Sequence, residues 1–326
     1  KLMSKKTGFF LHPSSSLHDT GWGHPEHQGR LRALASSVGN DLLMLHGHAE
    51  QMEAADGTEN DLLLVHTKDH VERVRSACQR AEDENSIIAI DPDTKVSSQS
   101  WNAALGSVGA AIAATKAVVQ GDIRNAFVAT RPPGHHATPG QAMGFCLFNN
   151  IALTARWLQA EGYADRVLII DWDVHHGNGT QEAFYGDATV YFLSLHQSPH
   201  YPGTGSTNER GRDDGEGYTL NVPLPIATPR ADYVKAFDEA LGQALKKFSP
   251  EFVLVSAGFD VMAEDPLGGM LLEPDDLYTM TRRIVEDAAA DCDGKVVAFL
   301  EGGYNPPRVG QGVVAVIRGL AGLEKP

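Results

Sequence analysis

Along this 326-residue chain, short apolar runs repeatedly give way at once to loops rich in Gly, Pro, His and Asp. The runs are Ala126–Ala129, Val167–Ile170, Val190–Leu195, Phe252–Val255 and Val296–Leu300. The loops that follow them are Thr130–Gly140, Asp171–Gly179, His196–Gly205, Gly258–Gly269 and Glu301–Pro307. Each run is short and lacks polar alternation, as a strand covered on both faces requires. Helical stretches at Trp101–Val119, Phe148–Glu161, Ala231–Lys247, Asp275–Ala290 and Val309–Leu323 separate them. Strands alternating with helices predict an α/β fold, a mostly parallel sheet with helices on both faces. Ahead of Trp101 the pattern is less regular, with helices expected at Glu26–Ser37 and Lys68–Arg80. No repeat or low-complexity linker divides the chain, so residues 1–326 read as one domain, with 1–8 as a flexible N-terminus. Ligands of open α/β sheets sit beyond the carboxyl ends of the strands, so these loops should converge on one site.

Lys and Arg total 27 against 42 Asp and Glu, a net charge of -15. Such a surface repels nucleic acid, which argues against direct DNA or RNA binding, and attracts cationic peptides or polyamines. Most of the charge is expected to serve solubility alone. The sparse, odd set Cys78, Cys146 and Cys292 has no metal-type spacing and predicts reduced thiols in a cytoplasmic setting. No apolar run reads as long enough to span a bilayer, and no signal-peptide core follows the basic stretch Lys1–Lys6, so no membrane association is expected. Oligomeric state stays open.

The richest loop is entered through Val167–Gly179, VLIIDWDVHHGNG. Alternate residues of an extended strand point the same way, so the Asp173 carboxylate and a His175 nitrogen can meet one ion. Asp260 occupies the equivalent place after Phe252–Val255 and supplies a third ligand. Two carboxylates and one imidazole leave a position for water and substrate, as catalytic zinc sites do; iron(II) or cobalt(II) suit the same donors. Any one such residue alone would more often cap the next helix. Their convergence is what favours a metal. Thr130–Ala137, TRPPGHHA, sets His135 and His136 in a rigid Pro-Gly turn over that point. Amide hydrolysis by a metal-held water needs a base for the water proton and an acid for the leaving amine, and histidine titrates in the range for both.

These stretches, RPPGHHA, MGFCLFNN, DWDVHHGNGTQ, YFLSLH, SAGFDVMAEDPLGG and EGGY, resemble the histone deacetylase family in order and spacing, over roughly Phe9 to Leu323. HPE at His24–Glu26 and Asn178 within HHGNGTQ look like the class II and bacterial branches. The resemblance implies the arginase–deacetylase fold and zinc-dependent removal of acetyl or related acyl groups from lysine-like amines. It implies zinc on Asp173, His175 and Asp260, with His136 as general base and acid and His135 as its electrostatic partner. Asp171 would orient the first His and Asn178 the second, where class I enzymes carry Asp. An amide cannot stabilise imidazolium as a carboxylate would.

Tyr304 would donate its hydroxyl to the substrate carbonyl, reached through the tight Gly302-Gly303 turn. Gly144 would accept the substrate N–H, with Phe145 and Tyr201 as tunnel walls; the family usually has Phe at the second wall position. Potassium is implied at two places. The first uses Asp171, Asp173, His175, Ser194 and Leu195, and the second Phe184, Asp187, Val190 and Tyr218. Arg30 matches an arginine below the metal, although an exposed helix face explains it equally. Asp91 and Asp93 either touch substrate at the rim or form a turn. His12, His18, His27, His46, His48, His66, His70, His196 and His200 are expected to be surface or structural residues, and His24 to border the pocket or not. Two other readings remain. One is an acetylpolyamine amidohydrolase, disfavoured because that branch carries Glu where Leu267 stands. The other is a non-catalytic acyl-lysine binder, disfavoured because every piece is kept.

Overall fold

The apolar runs do align side by side, in a computed structural model that describes residues 6–288 and 292–326. The strands are β1 (Thr7–Phe10), β2 (Ala49–Met52), β3 (Ile88–Ala89), β4 (Lys95–Val96), β5 (Asn125–Val128), β6 (Val167–Asp171), β7 (Val190–Gln197), β8 (Thr219–Leu224), β9 (Phe252–Ala257) and β10 (Val296–Leu300). Eight of them form one sheet in the order β2-β1-β5-β10-β9-β6-β7-β8, every pair parallel, and β3 and β4 make a small antiparallel hairpin. All residues of β1, β5, β6, β7, β9 and β10 are buried, whereas the edge strands β2 and β8 are partly exposed. The five strands expected from apolar runs are all present. The edges β2 and β8 carry mixed polar sequence and gave no such signal, and β1 is only four residues long.

Alternation within each strand divides the core between two faces. Leu168 and Ile170 of β6 face α8 (Arg230–Lys247), α9 (Pro274–Arg283), α10 (Pro306–Ala321) and α1 (Gly29–Asn40). Val167 and Ile169 face α5 (Ser100–Gln120) and α6 (Asn150–Ala160). Each fully buried Leu, Ile or Val contributes about 1.5–3 kcal/mol over an exposed one. A satellite cluster under α4 (Lys68–Asp83) joins Val71 and Val74 to Phe148. The short α2 (Leu42–Leu45) and α3 (Glu59–Leu62) complete the N-terminal part, and α7 (Asn178–Phe184) follows β6. The chain thus has the expected α/β architecture, a parallel sheet with helices on both faces.

Three expectations are corrected. Thr7 and Gly8 are not a flexible terminus, because they lie in β1, hydrogen-bonded between β2 and β5; residues 1–5 of that stretch lie outside the described residues. Helix α5 is, by length and composition, apolar enough to cross a bilayer, contrary to the reading of the sequence. Its Gly and Ala content hides it as a run, and 67% of its apolar window is buried as a core helix. The helix expected over Asp275–Ala290 starts at a Glu273–Asp276 capping box with Pro274 at its first position, and ends at Arg283. A π-helical turn continues it over Ile284–Ala288, and residues 289–290 lie outside the described residues.

Candidate active site

The strands end at one level, and their last residues start the site. Asp171 closes β6 opposite Ser194 on β7 and Ser256 on β9. Just beyond, the chain stays locally tied. Asp173 N–H donates to Asp171 Oδ1 at 3.0 Å, and His175 N–H donates to Asp173 Oδ1 at 2.9 Å. Val174 N–H donates across to Asp260 Oδ1 at 3.0 Å. These bonds bring Asp173, His175 and Asp260 together, all buried, with potential ligand atoms within 4.8 Å of one another. No other such cluster occurs among the described residues.

Whether the cluster suits a metal can be judged from its own chemistry. Asp260 Oδ2 is buried without a hydrogen-bond donor, although it lies 3.2 Å from His175 Nδ1. A buried carboxylate oxygen left so is costly unless a cation meets it. Gly302 N–H donates to Asp173 Oδ2 at 2.8 Å, and a Cβ on Gly302 would collide with Asp260 Oδ2. The cradle therefore needs glycine there. Burial disfavours charge on His175, yet Asp173 and Asp260 carry it up to about 10. A divalent ion among these oxygens would reverse that balance and favour the neutral, ligating imidazole. The donor set fits a metal.

Beside the cluster stand the two histidines. His135 Nδ1 donates to Asp171 Oδ2 at 2.9 Å, and His136 Nδ1 donates to Asn178 Oδ1 at 2.8 Å. Both rings thus direct Nε2 away from their partners. Their surroundings differ. Burial opposes charge on His135, but Asp171, Asp173 and Glu301 outweigh it and raise its pKa well above the ordinary value. Burial, followed by the nearby His135 and His175, pushes His136 well below.

Above them lies a cavity of about 240 Å³. His136, His175 and Tyr304 line its floor, Phe145, Tyr201 and Leu267 its walls, with Gly144, Asp93 and His200 completing it. Phe145 stands edge-on to Tyr304, with centroids 5.7 Å apart, and Tyr201 edge-on to His136 at 5.2 Å. Phe145 takes a left-handed backbone, φ 68°, held by its N–H to Thr94 Oγ1 at 3.0 Å. Gly144 before it has φ 55°, and a Cβ there would collide with the His136 ring. Burial, with Asp260 nearby, pushes the Tyr304 hydroxyl well up, so it stays a proton donor. Asp265 ties the rim together, accepting Tyr304 N–H at 2.7 Å and Leu267 N–H at 2.8 Å.

The expected zinc, proton-handling and tunnel residues therefore come together. Of the residues read for potassium, Asp171 and Ser194 are register neighbours. In the second group Phe184 C=O accepts Asp187 N–H, while the Asp187 carboxylate is engaged by Arg156 and Thr189. Asp93 lies in the Asp91–Thr94 turn, as one of its readings had it, and also lines the cavity. His24 does not line this cavity; it stands edge-on to Phe145 at 4.8 Å and lines a neighbouring groove with Pro266 and Tyr304.

Two residues differ from expectation. Arg30 is not on an exposed face. It is fully buried, donating to Glu26 Oε1, Glu301 C=O and Gly303 C=O, and it lies 5.1 Å from the Tyr304 ring centroid. His200 is not merely structural. It lines the cavity, stacks on His175 at 4.7 Å and donates Nε2–H to Leu267 C=O at 2.8 Å. Glu301 and Asp265 were not singled out by the sequence; the position of Glu301 directly after an apolar strand was the available signal.

Comparison with known proteins agrees with this geometry. Residues 24–320 match the histone deacetylase domain. The chain is 37% identical over 326 residues to a probable deacetylase of Archaeoglobus fulgidus, covering 98% of this chain and 89% of that one. It is 34% identical to a histone deacetylase-like amidohydrolase of Pseudomonas aeruginosa, covering 98% and 87%. The crystal structure of an HDA15 HD domain superposes with a TM-score of 0.90 at 37% identity, covering 98% of this chain and 89% of that chain. The chain belongs to the histone deacetylase family, whose metal-dependent deacetylase and amidohydrolase chemistry its site is built to support.

Proposed function

We propose that this protein is a zinc-dependent amidohydrolase that removes acetyl or a related acyl group from lysine-like amines. The observation that carries the reading is the cavity lined by His136, His175 and Tyr304, in which His175 belongs to the buried Asp173–His175–Asp260 cluster. The ion, when bound, supplies Lewis-acid polarisation of the substrate carbonyl and acidifies a water. His136, neutral and with Nδ1–H committed to Asn178, offers Nε2 to take the water proton and later return it to the leaving amine. His135, anchored on Asp171, holds positive charge beside the developing oxyanion. Tyr304 donates its hydroxyl to that oxygen. Phe145 and Tyr201 sandwich the aliphatic stem of the acylated side chain, and Gly144 C=O accepts its N–H. Potassium beside Asp171, Asp173, His175, Ser194 and Leu195, and beside Phe184, Asp187, Val190 and Tyr218, would bind mostly through carbonyls and stiffen the loops after β6 and α7.

Leu267 favours acyl-lysine over acetylpolyamine, because an apolar wall offers no partner to a desolvated ammonium. The net charge of -15 pulls the other way, but a long-range field is screened beyond ~8 Å at physiological salt. The test is kcat/KM on an acetyl-lysine peptide and on acetylspermidine, with and without chelator. We expect chelator-sensitive hydrolysis, peptide preferred, and a shift of roughly 2–5-fold toward the polyamine in Leu267→Glu, about the worth of one weak ion pair. Chelator-resistant hydrolysis would refute the metal reading, and native preference for acetylspermidine the substrate reading.

A further inference from the structure

Glu301 is fully buried directly after the central strand β10 and, beyond its charge near His135, has no role in the chemistry proposed above. We propose that Glu301 is a positioning residue, its carboxylate holding the backbone of the His135–His136 loop so that both imidazoles face the ligand cluster. The inference rests on the reading of that pair as the proton-handling groups. Glu301 Oε2 accepts Gly134 N–H at 2.7 Å and His135 N–H at 3.1 Å, and Oε1 accepts Ser256 Oγ–H at 2.9 Å. The loop cannot brace itself in the usual way. Pro132 and Pro133 bring no N–H, so the amides of Gly134 and His135 are the first donors after the turn, in an interior closed to water. Without a partner they would be orphaned, and the loop would move to recover them.

The same strand end holds the ligand cluster. Gly302 N–H, the next amide along, donates to Asp173 Oδ2 at 2.8 Å. Residues 301 and 302 thus fix the histidine loop and a metal ligand to one rigid point. A displacement of about 1 Å between such groups can cost on the order of 10²-fold in rate.

A competing account is that Glu301 acts on His135 through its charge rather than its reach. Two variants separate them. Glu301→Gln keeps the length and the acceptor but removes the charge; Ser256 can then accept rather than donate. Glu301→Asp keeps the charge but withdraws the carboxylate by one methylene. We expect Glu301→Asp to lower kcat on the order of 10–100-fold with KM within about 3-fold, and Glu301→Gln to lower kcat by no more than about 5-fold. Zinc affinity should stay near native in both. Amide hydrogen exchange at Gly134 and His135, which needs no turnover, should quicken at least about 10-fold in Glu301→Asp and stay near native in Glu301→Gln. Native-like kcat and exchange in Glu301→Asp would overturn the proposal. So would a Glu301→Gln enzyme as impaired as Glu301→Asp, or a loss of zinc affinity in step with kcat. If Glu301→Asp does not fold, a fall beyond about 10-fold in Glu301→Gln alone overturns it. Absent hydrolysis by the native protein would instead defeat the functional reading, and leave the exchange measurement to decide this one.

Discussion

Two buried charge clusters lie close together beneath the cavity, and they are built on opposite principles. In the first, Glu26 is met by Arg131 Nε at 2.7 Å and Arg30 at 2.9 Å, with His18 Nε2 at 3.8 Å. Burial pushes the Glu26 carboxyl up, but Arg131 and Arg30 more than cancel it and hold it at about 2. In the second, Asp171, Asp173, Asp260 and Glu301 surround His135, His136 and His175 with no Arg or Lys salt-bridged to any of them among the described residues. There burial and Asp173 push Asp260 up to about 7, and burial pushes Glu301 up to about 7. In the first cluster two arginines answer one carboxylate, so although Glu26 Oε2 has no hydrogen-bond donor the negative charge is fully met, and the cluster serves as scaffold. The second lacks a cation, and that deficit, more than the mere presence of Asp and His, marks a place for a metal.

Tyr304 lies between the two, close to Arg30 on one side and lining the cavity on the other. If its role belongs to the cation-short side, Tyr304→Phe should lower kcat by roughly 10²–10³ while substrate binding persists. Stability should stay near native, because the hydroxyl anchors no other side chain among the described residues. A variant with near-native turnover would assign the tyrosine to the scaffold instead.

The smaller effect concerns the balanced side. Glu26→Gln would leave Arg30 and Arg131 buried with one counter-charge fewer. A carboxyl lowered from 4.5 to about 2 corresponds to about 3 kcal/mol of stability. Because the folded pKa is depressed, that stability is fully present above about pH 4.5 and is lost as pH falls toward 2. Urea unfolding of native protein and variant should therefore differ by about this amount at neutral pH and converge below about pH 4.5. Equal stability at pH 7 would show the cluster to be less tightly coupled than its geometry.

What the sequence made legible follows from the range of each contact. Asp173 and His175 are only two apart, but β6 ends at Asp171 and the chain bends over 173–175, so the His175 N–H to Asp173 Oδ1 bond rather than strand alternation brings them together; Asp260 follows from its similar place after a parallel neighbour. The five central strands were readable because burial on both faces makes them uniformly apolar. The edges β2 and β8 were not, since partial exposure dilutes that signal. Residues whose roles depend on distant partners also escaped. His200 gains its place from Leu267, and Glu301 from Gly134, far away along the chain. The two readings of Arg30, buried below the metal or on an exposed helix face, could not be separated because the carbonyls that accept from it belong to Glu301 and Gly303 at the other end of the sequence.

The comparison of the two clusters makes one claim that metal binding tests directly. Metal-stripped native protein and Asp260→Ala should be titrated with zinc, with bound metal and hydrolysis of an acetyl-lysine peptide followed together. Native protein is predicted to bind one catalytic ion per chain tightly, with hydrolysis rising from near zero in proportion to occupancy of that site. Asp260→Ala should stay folded while losing both, because it removes the unpartnered oxygen that the ion would meet. Full hydrolysis by the metal-free native protein, or undiminished zinc affinity in Asp260→Ala, would contradict it.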